Sequence, residues 1–110
     1  MTGNEYQALA ARTINAKLSA GEQIFHALHG MSSEVGEIHS LHQKIYQGHI
    51  LDLNHEMKEL GDLLWFISEM CTARGWSLED VMKLNIKKLR ARFPDGFDPE
   101  KSLHRKEGDV

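Results

Sequence analysis

Proline is absent from this chain until Pro94, and the apolar residues ahead of it recur at spacings of three and four rather than two. That spacing collects them on one face of a helix, so the expected fold class is all-α. A first helix is expected from about Asn4 to Leu18, with Tyr6, Leu9, Ala10, Thr13, Ile14, Lys17 and Leu18 on one stripe and Ser19-Ala20-Gly21 as its exit. A second, from about Glu22 to Tyr46, carries Ile24, Leu28, Met31, Val35, Ile38, Leu41 and Ile45 in a long regular row. A third runs from about Leu53 to Arg74, its apolar surface broad enough to pack on more than one side, and a fourth from about Leu78 to Arg92.

The breaks between these stretches carry their own chemistry. Gly48 and Gly75 stand where a helix C-terminal glycine is expected. Asp52 or Asn54, and Ser77 with Asp80 three residues later, are suited to cap the helices that follow. The short link at Gly48 implies that the second and third helices are antiparallel neighbours. Pro94-Asp95-Gly96 ends the fourth helix in a turn, and the polar stretch from Pro99 to Val110 has no periodicity, so an extended or mobile arm is expected there. At 110 residues the chain suits one domain.

With 13 Lys+Arg against 16 Asp+Glu, overall charge gives no reason to expect a nucleic acid polymer as partner, and an anionic ligand must be met by local charges. Cys71, the single cysteine, excludes an internal disulfide and a multi-cysteine zinc site, and its place on the apolar row favours a packed thiol. The first residues show no continuous apolar run behind a basic cap, and no window reaches the roughly 18 apolar residues of a membrane helix, so a cytoplasmic protein is expected, with neither export nor membrane insertion.

The acidic residues are patterned. Glu34 and Glu37 are three apart in the second helix, and Glu59 and Asp62 are three apart in the third, so each pair projects from one face. Both pairs interrupt apolar stripes, beside Val35 and Ile38 in one helix and Leu60 and Leu63 in the other. Across an antiparallel turn at Gly48, Glu37 and Glu59 are equidistant from the hairpin, so the pairs are expected to face each other. Four carboxylates in a partly dry groove repel one another, which calls for protonation or a divalent cation. Oxygen-only donors suit magnesium or manganese better than zinc or copper, and magnesium commonly shares its shell with substrate phosphates.

Glu34-Val-Gly-Glu37 followed by Glu59-Leu-Gly-Asp62 resembles the Glu-x-x-Glu and Glu-x-x-Asp hallmark of the MazG-type, all-α nucleoside triphosphate pyrophosphohydrolases. The likeness extends through Gly30, the runs Ser33 to Glu37 and Lys58 to Trp65, and Asn85 to Phe97, with Ser33 and Gln43 as departures. It implies a MazG-like four-helix bundle over residues 1–98, completed by self-association into a dimer or tetramer, with 99–110 as a polar tail. It also implies that Glu34, Glu37, Glu59 and Asp62 bind magnesium, with manganese as a substitute, and that a metal-associated water attacks the α-phosphorus of a triphosphate, expelling pyrophosphate. Lys44, seven after Glu37, matches a family lysine. Asn85, Lys88 and Arg92 share one face of the fourth helix and match its Asn-x-x-Lys pattern with a following Arg, so these four are the expected substrate-binding residues. The rival is a non-catalytic helical bundle that binds a protein or nucleotide through its apolar stripes.

Other residues invite weaker readings. The histidines, among them His26, His29, His39 and His42, are expected on the surface, and His55-Glu56-x-x-Glu59 lacks the second histidine of a zinc protease. Trp65, three after Asp62, borders either a base pocket or the core. Gly36 and Gly61 are expected to let the helices approach closely.

Overall fold

In the computed structural model, which describes residues 1–110, the chain is built from helices alone: α1 (Gly3–Ala11), α2 (Ala20–Ile45), α3 (Leu53–Arg74), α4 (Leu78–Arg92) and a short α5 (Pro99–Leu103). No helix is long and apolar enough to cross a membrane. The all-α expectation is met, and α2 to α4 lie close to where the sequence places them. The first helix is shorter than expected, ending at Ala11 instead of about Leu18. Beyond it the Thr13 hydroxyl donates to the Ala10 carbonyl at 2.8 Å and Asn15 accepts from the Lys17 amide at 3.1 Å. These local bonds compete with helix continuation. Ser19 is the N-cap of α2 and not part of an exit, because Ser19 and Glu22 form a reciprocal capping box.

The α2–α3 hairpin is the centre of the molecule. At the end of α2, Gly48 adopts φ 91°, and the amides of Gly48 and His49 bond back to the Ile45 and Lys44 carbonyls at 3.1 and 3.0 Å. Gly75 ends α3 in the same way with φ 75°, the Trp76 amide reaching the Cys71 carbonyl at 2.8 Å. Both closures are left-handed turns that glycine adopts without a Cβ clash. Asp52 caps α3 by accepting from the Asn54 and His55 amides.

The two helices are antiparallel, as contacts from His26–Glu69 through Gly30–Phe66 to His42–Glu56 show. The close approach occurs at Gly30, where a Cβ would overlap the Phe66 ring. Gly36 and Gly61 do not serve that purpose, because a Cβ on either would meet nothing within 4 Å. Phe66 is itself fixed, edge-on to Trp65 at 5.1 Å and tilted against His26 at 5.6 Å.

Helix α1 is a clamp that sets α4 on the hairpin. Gln7 donates to the Thr72 hydroxyl and the Trp76 carbonyl at 3.2 and 2.9 Å and accepts from the Leu78 amide at 2.7 Å. Asn4 accepts from the Glu79 amide and Ser77 from the Asp80 amide. Three orphan donors of α4's first turn are thereby satisfied. Helix α4 packs chiefly on α1 and projects from the hairpin, leaving Val81, Met82, Leu84 and Ile86 exposed.

The C-terminal stretch is ordered, correcting the expected extended arm. Asp98 caps α5, with Pro99 at its first position, where a missing N–H costs nothing. The stretch then folds back so that Arg92 meets Asp109.

Candidate active site

Glu34 on α2 and Glu59 and Asp62 on α3 each offer a carboxylate oxygen, and the three oxygens lie within 4.8 Å of one another. Glu34 and Glu59 are half-buried, while Asp62 is exposed and opens the cluster to solvent. Glu37 stands one turn along α2, outside this group but near enough for its charge to act on Glu34. Three of the four expected acids therefore converge, and the fourth flanks them.

The cluster is electrostatically incomplete. Oε2 of Glu34 is buried and has no hydrogen-bond partner. Its neighbour is the Glu59 carboxylate, and two acceptors share a hydrogen bond only if one takes a proton. The shared bond to Glu59, burial, and repulsion from Glu59, Asp62 and Glu37 push the Glu34 carboxyl up to about 7. Glu59 is held below its ordinary range by that bond and by His55, whose Nε2 lies 2.9 Å from Glu59 Oε1. A carboxyl with one buried oxygen lacking a donor, in a group whose three carboxylates approach within 4.8 Å, fits a divalent cation. The all-oxygen donor set fits a hard one such as magnesium or manganese.

Two residues at this site were not foreseen. His55 is one turn before Glu59, and the only sequence signal of its role is that i, i+4 spacing. Tyr6 of α1 lies close enough to Asp62 that its hydroxyl is pushed upward, first by burial and then by that charge. No periodicity reveals that contact, since it depends on how α1 lies across α3. His26 lies on the surface as expected, but its ring reaches inward: Nδ1 lies 2.8 and 2.9 Å from the two oxygens of Glu69, a side chain buried within the hairpin. His42 likewise pairs with Glu56. Trp65 is packed, its indole N–H donating to the Thr13 hydroxyl at 2.8 Å. Cys71 is buried as expected, and burial raises its thiol pKa.

The expected substrate-binding residues are distributed differently. Lys44 is exposed two turns beyond Glu37. Asn85 and Lys88 line a groove of about 460 Å³ between α4 and the C-terminal stretch, with Asp109 on its wall. Arg92 shares their face, and its guanidinium donates twice to Asp109, from Nε at 2.9 Å and a terminal nitrogen at 2.8 Å. None of the α4 residues joins the acidic cluster within one chain.

Residues 25–97, which contain all four acids and the whole of α4, match the family model of the MazG nucleotide pyrophosphohydrolase domain. No curated protein and no solved structure matches the chain.

Proposed function

The chain belongs to the MazG nucleotide pyrophosphohydrolase family, and on that premise we propose that it is a cytoplasmic, magnesium-dependent enzyme that hydrolyses nucleoside triphosphates to the monophosphate and pyrophosphate. The observation that carries this reading is the Glu34–Glu59–Asp62 cluster with its unsatisfied Glu34 oxygen.

In this reading Glu34, Glu59 and Asp62 would hold the cation, with Glu37 completing the donor set from the next turn. When bound, a divalent cation polarises phosphoryl oxygens, offsets developing charge and acidifies water. The chain's own residues do the rest. His55 orients Glu59 through their hydrogen bond, and a carboxylate oxygen left free in the cluster takes the proton of the attacking water. Lys44 is a point charge for the outer phosphates. Asn85 bonds a sugar hydroxyl or phosphate, Lys88 adds charge, and Arg92 clamps phosphate oxygens in a bidentate fork.

The α4 residues reach a cluster only if copies of the chain assemble. Self-association is supported by the exposed surface of 8350 Å², against about 6,200 Å² expected of a compact monomer of this mass. The radius of gyration is 17.3 Å, against about 13 Å for a compact chain of this length. The excess area is comparable with a stable protein interface. Leu53, Met57, Leu60 and Leu64 on α3 and Val81, Met82 and Leu84 on α4 are the apolar residues a second copy would cover.

The test is incubation with magnesium and a panel of nucleoside triphosphates, with pyrophosphate and orthophosphate assayed separately. Equimolar monophosphate and pyrophosphate is the expected result. Orthophosphate without pyrophosphate rejects the proposed bond cleavage.

A further inference from the structure

The cations of this chain are unevenly placed: Lys83, Lys87, Lys88, Arg90, Arg92, Lys101, Arg105 and Lys106, eight of the 13 Lys+Arg, fall between residues 83 and 106. The C-terminal stretch folds back on the end of α4 and encloses a cleft of about 150 Å³ lined by Arg92, Lys101, His104, Arg105 and Lys106. One carboxylate enters it. Asp109 takes both donors of the Arg92 fork, and the positive charges of Arg105 and Lys88 also act on it. The pair is largely withdrawn from solvent, with side chains 10% and 16% exposed.

A guanidinium fork accepts carboxylate and phosphate in the same bidentate geometry. Asp109 is the one carboxylate among the residues that line the cleft, beside Arg92, Lys101, Arg105 and Lys106, with Glu100 paired to His104 at its edge, and a phosphate group in the place of Asp109 brings more charge and more acceptor oxygens. The geometry points to a phosphate site at the end of α4 in which Asp109 is a built-in stand-in for the ligand, so that the C-terminal segment is a latch that phosphate-bearing ligands must displace. This rests on the reading of Arg92 as a phosphate group's partner and adds to it an internal competitor. Asp109 also lies on the wall of the groove lined by Asn85 and Lys88, so release of the latch frees Arg92 and widens that groove on the same face of α4.

The affinity of a site open in only a fraction of molecules falls by that fraction, so a latch closed in about nine molecules of ten weakens binding about tenfold. The experiment is calorimetric titration of the full-length, metal-free protein with inorganic pyrophosphate. Asp109→Ala should bind about tenfold more tightly than the unmodified chain, Asp109→Asn should fall between them, and adding Arg92→Gln to Asp109→Ala should abolish the gain. In the unmodified chain, pyrophosphate should also speed tryptic cleavage within 101–106. Equal affinity of Asp109→Ala and the unmodified chain overturns the latch, as does a gain that survives Arg92→Gln or cleavage that pyrophosphate does not alter. Because no metal is present, the acidic cluster and hydrolysis do not enter the readout. A chain without pyrophosphohydrolase activity can still show the latch, and an active enzyme can lack it.

Discussion

Glu34 and Glu59 face each other across the α2–α3 hairpin as two acceptors, and Oε2 of Glu34 is buried without a donor. The arrangement is tolerable with a shared proton or a shared cation, so pH and metal should exchange roles. With its carboxyl raised to about 7, Glu34 binds more protons in the folded state than in the unfolded one. Metal-free stability associated with Glu34 is therefore complete below its ordinary range and is lost as pH rises from about 4.5 through about 7. In thermal melts with chelator the midpoint should fall between pH 6 and pH 8, and magnesium should raise it more at pH 8. A magnesium effect independent of pH contradicts this account.

At pH 8, where Glu34 has lost its proton, Glu34→Gln should replace the repulsion with a hydrogen bond, because the amide donates to Glu59. A net gain of about 1 kcal/mol raises the melting midpoint of the metal-free protein by roughly 4–8 °C, while the response to magnesium disappears. Glu59→Gln should abolish turnover and leave the circular dichroism spectrum unchanged. Retained activity in that variant counts against the cluster as the catalytic centre.

Gly30 and Gly36 should respond in opposite directions to alanine. At Gly30 the new methyl strikes the Phe66 ring, which Trp65 and His26 hold in place, so a loss of about 1–3 kcal/mol is expected. At Gly36 a Cβ meets open space, and higher helix propensity should stabilise by about 0.5–1 kcal/mol. Urea unfolding of both variants reads the two signs directly.

His26→Ala should leave the buried Glu69 carboxylate without its partner, at a cost of about 1–3 kcal/mol. Adding Glu69→Leu should recover much of that loss, since the uncompensated charge is then gone. Losses that simply add in the double variant show that the two residues are not coupled.

Sedimentation equilibrium at micromolar concentration should give a mass of at least two chains. A 12.5 kDa species means that the apolar surfaces of α3 and α4 stay uncovered in solution, and the proposed route for α4 residues into a cluster fails.

Much of this protein follows from short-range chemistry and is legible along the chain. Apolar spacing of three and four gives the helices, Gly48 and Gly75 end two of them, and the paired carboxylates mark one groove. Each of these is decided by residues within one or two turns. The first helix stops short of its apolar stripe because Thr13 and Asn15 bond locally to the backbone beyond Ala11, and side-chain competition of that kind leaves the periodicity intact. Other outcomes belonged to the tertiary structure. Gly30, and not Gly36 or Gly61, takes the close approach because the antiparallel register sets Phe66 opposite it. His26 finds Glu69 at 43 residues' separation and Arg92 finds Asp109 at 17, contacts fixed by how helices and the returning tail lie together. The acids could be named from the sequence, but the structure decided that Glu34, Glu59 and Asp62 converge while Glu37 flanks them, because convergence depends on the relative height and rotation of two packed helices.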